Sequence, residues 1–169
     1  MQQLPLYSIG HGSRKADDFL ALLQEYGITH LVDVRSKPFS RFHPQFNKKK
    51  LEDFLAGYRI TYVFMGNELG GRPEDPSCYN SDGKVDLNKV KEKDFFKEGI
   101  SRLKTAYHKQ VPLAIMCSER DPAMCHRSRL IGEVLTKEGI ELAHIDENGK
   151  IKDQNALGLD KKTPPDLFS

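Results

Sequence analysis

The sequence of 169 residues has no long apolar run and no marked excess of charge of either sign. No stretch approaches the about 18 to 20 apolar residues that cross a bilayer. The N-terminus MQQLPLYSIG has neither a basic segment nor a long apolar one. We therefore expect a soluble protein that is not exported and has no membrane partner. The formal net charge of +2 is too small to indicate a nucleic-acid-binding protein by itself.

Cysteine is scarce, since only Cys78, Cys117 and Cys125 occur. An odd number without regular spacing argues against a disulfide scaffold and favours free thiols in a reducing compartment. This predicts a cytoplasmic protein. Cys117, Cys125 and His126 could converge with His11 on a metal, but no C-x-x-C pair occurs, so a structural zinc site is not predicted and a catalytic metal stays open. The residues identify no cofactor and no oligomeric state.

Short apolar runs rich in β-branched residues alternate with segments of helical period, without internal repeats or low-complexity segments. The predicted strands are LYSIG, HLVDV, ITYVFM, VPLAIMC and IELAHID, and a polar loop covers about residues 66 to 93. The predicted helices are SRKADDFLALLQEYG, KKKLEDFLAG, DFFKEGISRLKTAYH and RLIGEVLTKEG. This order predicts an α/β fold, a doubly wound and mostly parallel five-stranded sheet with helices on both faces. We interpret residues 1–146 as one domain and residues 147–169 as a C-terminal extension.

Polar side chains follow four of the predicted strands, at the edge where open α/β sheets bind ligands. They are His11, Asp33, Arg35, Glu68, Arg72, Cys117, Glu119, Arg120, His126 and Arg127. Polar loops are ordinary, but a charge at or inside the end of a strand gains little there and its burial is costly. The set as a whole therefore predicts a functional site.

Arg127 has two interpretations. Helical phasing places it above the buried stripe that contains Leu130 and Ile131, close to a helix start predicted at Asp121. A guanidinium in that position binds a phosphate or a carboxylate. The alternative is a buried ion pair with Asp33 or Glu68.

Cys117 stands at the end of the fourth predicted strand. Near Arg120 and Arg127 its thiol could have a lowered pKa and act as a nucleophile. The alternative is a small hydrophobic residue that closes the strand. A phosphatase loop is not predicted, because Ala123 stands where such a loop has its arginine.

Four separated motifs occur in order, SIGHGSR, LVDVRSKPFSRFHPQFN, ELGGR and MCSERDPAMCHRSRLI. Over Tyr7 to about Asp146 they resemble the family called domain of unknown function 488. The resemblance implies an α/β fold with a Cys/His/Arg cluster and implies no particular reaction. Gly12 stands where many relatives have Ser or Thr, and Ser13 follows it.

Cations and aromatic rings interleave after the second strand. The cations are Arg35, Lys37, Arg41, His43, Lys48, Lys49 and Lys50, and the rings are Phe39, Phe42 and Phe46. Cations follow a phosphate backbone, and each base stacked on a ring contributes about 1 to 3 kcal/mol. The pattern predicts binding of single-stranded nucleic acid or a nucleotide. The alternative is that the rings pack on the core and the lysines begin a solvated helix.

These residues lead to two hypotheses of different class. The first is an enzyme that acts on nucleic acid or another phosphate-bearing substrate, with Cys117 or Asp33 as nucleophile or base and His11 or His126 for proton transfer. Its candidate binding residues are Arg35, Arg41, Lys48, Lys49, Lys50, Glu68, Arg72, Glu119, Cys125 and Arg127. The second is a noncatalytic nucleic-acid-binding or adaptor module with structural cysteines.

The C-terminal TPPDLFS places Leu167 and Phe168 after two prolines. Large apolar residues at a terminus indicate docking, either on this domain or on a partner. DLF resembles the end of the Q-L-x-L-F peptides that bind bacterial sliding clamps, without their glutamine. A sliding clamp is therefore a candidate partner of this tail.

Overall fold

The structure, a computed structural model, describes residues 2–157. Its sheet contains β1 (Leu6–Gly10), β2 (His30–Asp33), β3 (Thr61–Phe64), β4 (Leu113–Cys117), β5 (Leu142–Ile145) and β6 (Ile151–Asp153). The strands lie in the order β3-β2-β4-β1-β5-β6, with β1 to β5 parallel and β6 antiparallel to β5. The α/β fold and the mostly parallel sheet are confirmed. The prediction of five strands is wrong, because β6 forms from residues assigned to the C-terminal extension.

Helices cover both faces of this sheet. They are α1 (Ala16–Glu25), α2 (Lys48–Ala56), α3 (Gly66–Leu69), α4 (Leu87–Lys91), α5 (Asp94–His108) and α6 (Glu133–Lys137). The short helices α3 and α4 lie in the segment predicted as a polar loop. A π-helical segment, Arg127–Gly132, leads directly into α6.

The alternation of strand side chains builds one apolar core on each face of the sheet. Ile9 and Met116 belong to the core that contains α1 and α2, whereas Val32 and Ile115 belong to the core that contains α5 and α6. All five residues of β4 are buried, as a strand inside a doubly covered sheet requires. The ends of the strands are therefore the natural place for a ligand.

Strands β1, β2, β3 and β4 end at the same edge, because they run parallel in close register. Gly10 is the partner of Cys117, and Asp33 is the partner of Met116. A Cβ atom at Gly10 would collide with the backbone carbonyl of Glu119. Glycine at this position therefore allows the loop after β4 to fold against the end of β1.

Within residues 2–157, no helix is long and apolar enough to cross a membrane. The tail residues Leu167 and Phe168 lie outside the described residues. Docking of that tail on a sliding clamp or on this domain therefore stays a prediction.

Candidate functional site

A pocket of about 520 Å³ opens at the carboxyl ends of β1 to β4. The loops that follow all four strands contribute to its wall. Nine of the residues singled out in the sequence line it, namely His11, Arg35, Lys37, Phe39, Arg72, Cys117, Glu119, Cys125 and His126. The topology thus brings together side chains that lie far apart along the chain.

Arg127 lies behind this pocket and is completely buried. Its Nε donates to Cys117 Sγ over 3.2 Å, and its Nη1 donates to Ser8 Oγ. Its Nη2 donates to the carbonyls of Glu119 and Arg120, each over 3.1 Å. Burial lowers the pKa of Arg127 to about 9.

No carboxylate of residues 2–157 forms an ion pair with Arg127. The alternative of a buried ion pair with Asp33 or Glu68 is therefore wrong. Asp33 pairs with another arginine, and Glu68 lies on α3 and does not line the pocket. The guanidinium has hydrogen-bond partners but no formal counter-charge.

Asp33 is buried at the end of β2 and fully engaged by its neighbours. Arg35 donates to both of its oxygens, from Nε over 2.9 Å and from Nη2 over 2.7 Å. The hydroxyl of Tyr62 donates to Oδ2 over 2.6 Å, and burial next to Asp33 raises the pKa of Tyr62. Asp33 does not line the pocket, so its geometry is that of a residue that holds Arg35 in place. Its predicted role as nucleophile or base stays a prediction.

His11 presents one ring nitrogen toward Arg35. Its Nδ1–H donates to the carbonyl of Gly12 over 2.8 Å, and its ring stacks on Phe46 with centroids 4.5 Å apart. Because Nδ1 carries the proton, Nε2 has a lone pair, which lies 3.4 Å from Arg35 Nη1. Burial lowers the pKa of His11 to about 4, so the ring is neutral at pH 7.

His126 is oriented by a backbone carbonyl just after β2. Its Nε2 lies 3.0 Å from the carbonyl oxygen of Val34 and donates to it, since a carbonyl only accepts. Its Nδ1 faces Cys125 Sγ at 3.6 Å. Burial lowers the pKa of His126 to about 4, so this ring is neutral as well.

Cys117 and Cys125 are paired as a disulfide, with Cα atoms 7.3 Å apart. Cys78 is free and lies in the core. The expectation of three free thiols therefore holds only for Cys78. The pairing has no local signal in the sequence, because it arises when the loop after β4 folds back over eight residues.

The predicted lysines at the start of α2 lie outside the pocket wall. Lys48, Lys49 and Lys50 are all exposed. Lys49 forms an ion pair with Asp53 over 3.0 Å, and Lys48 Nζ lies 4.4 Å from the centre of the Phe64 ring. These contacts occupy two of the three cations within the protein itself.

The loop before α2 exposes two aromatic rings, of which one lines the pocket. Phe39 is 70% exposed and lines the pocket, and Phe42 is 82% exposed with Arg41 above its ring. Phe46 is fully buried, so the core-packing alternative is correct for this ring only. Arg72, on the loop after β3, lines the same pocket, and its backbone N–H donates to Ser36 Oγ over 2.8 Å.

A buried polar chain behind Arg127 was missed by sequence reasoning. Gln154 Nε2 donates to the Ser128 carbonyl over 2.9 Å, so Gln154 Oε1 accepts from His144 Nε2. His144 Nδ1 then accepts from the Ser8 hydroxyl, whose oxygen accepts from Arg127. Burial lowers the pKa of His144 to about 4, consistent with one proton on this ring. A histidine inside the apolar strand LAHI was the available signal.

A family model described as domain of unknown function DUF488 matches residues 15–135. The chain belongs to this family. No curated protein and no solved structure matches it. The DUF488 match contains the pocket residues from Arg35 to His126 and also Arg127, while His11, β5 and β6 lie outside it. Among residues 2–157, no three His, Cys, Asp or Glu side chains group as a metal site.

Proposed function

We propose that this protein is an enzyme in which the Cys117 thiolate is the nucleophile toward a phosphate-bearing substrate, with nucleic acid or a nucleotide as the substrate class. The Arg127–Cys117 contact carries this proposal. A buried cation without a counter-charge is costly. Ser8 and the two carbonyls satisfy N–H groups of Arg127 but bring no negative charge.

The sulfur of Cys117 is the one remaining partner of Arg127 within the described chain. In the reduced protein, a thiolate at Cys117 supplies the missing charge, and Arg127 in turn lowers the pKa of this thiol. The thiolate is the reactive form of cysteine. A cytoplasmic location, where thiols are kept reduced, fits this role.

The pocket wall supports an anionic substrate and a proton acceptor. Lys37 and Arg72 line it, and a guanidinium group binds phosphate through paired donors. In the proposed reaction, the thiolate attacks the electrophilic centre, the bond to the leaving group breaks, and the leaving group departs as an anion that takes a proton from water. Water then releases the covalent intermediate, and the lone pair of His11 Nε2 accepts its proton.

Nucleic acid or a nucleotide is favoured over a simple phosphate by the exposed rings of Phe39 and Phe42. Exposed rings beside cations stack on bases. Arg41 and Lys37 on the same loop are positioned to accompany a phosphate backbone. The binding surface of the proposal is therefore this loop together with the pocket.

The alternative is a noncatalytic nucleic-acid-binding or adaptor module with structural cysteines. The disulfide between Cys117 and Cys125 favours it, since a crosslink ties the loop after β4 to the end of that strand. In that case Arg127 is a core residue that holds two loop carbonyls. Both functions share the loop with Phe39 and Phe42, so the thiol chemistry separates them.

The test is the pH dependence of alkylation in the fully reduced protein. Iodoacetamide is added at a series of pH values, and labelling of Cys117 is followed by peptide mass spectrometry. We expect an apparent pKa below the about 8.5 of a free cysteine, with faster labelling at neutral pH than a model thiol. Labelling no faster than the model thiol removes Cys117 as the nucleophile, and it leaves Asp33 as the remaining enzyme candidate beside the noncatalytic module.

A further inference from the structure

Cys125 has no role in the proposed reaction, although it lines the same pocket and its sulfur contacts that of Cys117. The pair sits at the pocket, while Cys78 lies in the core and away from it. The Cα atoms of the pair lie 7.3 Å apart and its sulfurs are bonded, so in the reduced protein the two thiols lie within reach of each other.

The two sulfurs have different electrostatic partners. Cys117 Sγ accepts a hydrogen bond from the Arg127 guanidinium, which favours a thiolate. Cys125 Sγ faces the unprotonated Nδ1 of His126, because the Val34 carbonyl holds the ring proton on Nε2. A thiol beside a neutral imidazole nitrogen donates its proton to that nitrogen when it reacts.

We propose that Cys117 and Cys125 form a dithiol that reduces low-molecular-weight disulfides, with Cys117 attacking first, Cys125 as the resolving thiol and His126 as its base. This inference rests on the proposed function in one respect, the thiolate character of Cys117. Disulfide reduction is a second activity of the pocket. It converts the protein to the Cys117–Cys125 disulfide, in which Cys117 is unable to act on the phosphate-bearing substrate.

The chemistry balances in two exchanges. The Cys117 thiolate attacks one sulfur of the small disulfide, the S–S bond breaks, and one thiolate leaves. Cys125 then transfers its proton to His126 Nδ1 and attacks Cys117 Sγ. The second thiolate leaves and takes this proton. The Cys117 thiolate and the Cys125 thiol are oxidised to their disulfide, one small disulfide is reduced to one thiolate and one thiol, and an external thiol reverses the process.

The pocket selects the class of disulfide. A cavity of about 520 Å³ admits a small molecule, and Lys37 and Arg72 on its wall attract carboxylates. We therefore expect small disulfides with carboxylate groups to react faster than neutral ones. Oxidised glutathione is the anionic probe, and oxidised 2-mercaptoethanol is the neutral one.

The test uses the full-length reduced protein mixed with oxidised glutathione, followed by acid quench, intact mass measurement and peptide mapping. For the unaltered chain we expect loss of two hydrogens and a Cys117–Cys125 crosslink, with only a transient glutathione adduct. Cys125→Ser should retain one glutathione on Cys117. Cys117→Ser should form neither product at the pocket.

His126→Gln tests whether crosslink formation needs His126 as a base or only needs the two thiols to be close together. The Gln amide keeps a donor for the Val34 carbonyl but offers no basic nitrogen to Cys125. We expect adduct formation at the original rate and crosslink formation at least about tenfold slower. Circular dichroism shows whether this variant folds. If it does not fold, the time course of the unaltered chain still tests the proposal.

The outcomes distinguish the two proposals. A stable glutathione adduct on Cys117 in the unaltered chain overturns the resolving role of Cys125 and leaves Cys117 as a nucleophile. Slow alkylation of Cys117 together with no adduct in Cys125→Ser overturns both. An adduct on Cys125 of the Cys117→Ser variant, formed as fast as the adduct on Cys117, overturns the assigned order of attack.

Discussion

The Nε atom of Arg127 lies 3.2 Å from the Sγ atom of Cys117, in the interior of the protein and directly behind the pocket. This contact joins the end of β4 to the start of the π-helical segment. The same guanidinium holds the carbonyls of Glu119 and Arg120, so it orients the loop that forms part of the pocket wall. One buried side chain thereby contacts the sulfur of Cys117 and orients part of the pocket wall.

Replacing Arg127 with Lys should raise the pKa of Cys117 and slow its alkylation at neutral pH. An ammonium group lacks the planar fork of donors and is unable to reach the sulfur, the Ser8 hydroxyl and two carbonyls together. The variant should also lose about 1 to 3 kcal/mol of unfolding free energy for each acceptor left unpaired. Iodoacetamide kinetics and urea unfolding measure the two effects.

Arg129→Lys is the matched control for that variant. Arg129 is nearly buried on the same helical segment, and its Nε donates to the Ala123 carbonyl over 2.8 Å and not to a cysteine sulfur. It should lose stability without any change in the alkylation profile of Cys117. Equal alkylation profiles in the two variants would show that Arg127 does not set the charge on this thiol.

Ser8→Ala should also raise the pKa of Cys117, by less than Arg127→Lys does. The Ser8 oxygen accepts from Arg127 Nη1, while its hydroxyl donates to His144, so its removal frees the guanidinium to rotate away from the sulfur. Ser128→Ala is the control, because Ser128 is equally buried but bonds to the carbonyls of Pro122 and Cys125. Alkylation of Cys117 at several pH values is the measurement, and a shift in both variants would indicate a general loosening of the core.

Much of the fold could be predicted because its signals are local. The helical period of DFFKEGISRLKTAYH predicts α5 with its observed bounds, and the apolar run LAIMC predicts the central strand β4. Strand β6 has no such signal, since its three residues are exposed or half-buried at the edge of the sheet. The short helices α3 and α4 have too few residues for a helical period to appear.

The site was predictable where it depends on strand ends and not where it depends on pairing between distant strands. Cys117 was placed correctly because it ends an apolar run. Helical phasing predicts Arg127 over the edge of the sheet, whereas the structure buries it behind the pocket, on a π-helical segment whose phasing differs from that of an α-helix. Ser8 and His144 are neighbours only because β1 and β5 pair in parallel, which no local pattern reveals.

The unfolding free energy should fall as the pH drops from about 6.5 toward about 4. Burial lowers the pKa values of His11, His126 and His144 from 6.5 to about 4. The unfolded chain therefore binds more protons in this range, so stability is present above pH 6.5 and is lost as the pH falls through about 4. Urea unfolding of the reduced protein at each pH gives the slope.

His144→Gln should reduce the slope of unfolding free energy against pH by the equivalent of up to one bound proton, whereas His108→Gln should leave this slope unchanged. His108 lies at the end of α5 and outside the core, so it is a surface control for the substitution itself. A stability curve that is flat over this range in the unaltered chain would mean that the buried rings keep ordinary proton affinities.

Phe39→Ala and Phe42→Ala should each weaken binding of single-stranded nucleic acid by about 1 to 3 kcal/mol if one base stacks on each ring. Both rings are exposed, so their removal should have little effect on folding. Fluorescence anisotropy with a labelled oligonucleotide measures the affinity. Tyr58→Ala is the control, since Tyr58 is 48% exposed just after α2 and does not line the pocket. Equal affinity of all three variants would remove base stacking from the proposed function.

Lys37→Gln combined with Arg41→Gln should flatten the salt dependence of that binding. For single strands, the slope of log affinity against log salt concentration changes by about 0.7 for each phosphate that the protein no longer neutralises. Replacement of Lys48, Lys49 and Lys50 by Gln should change this slope by less than the loss of three phosphate contacts would. The reason is that Lys49 already pairs with Asp53 and Lys48 lies over Phe64. Anisotropy titrations at a series of salt concentrations give these slopes. If the triple variant changes the slope more than the loop variant does, the nucleic acid follows α2 and the aromatic loop is not its main binding surface.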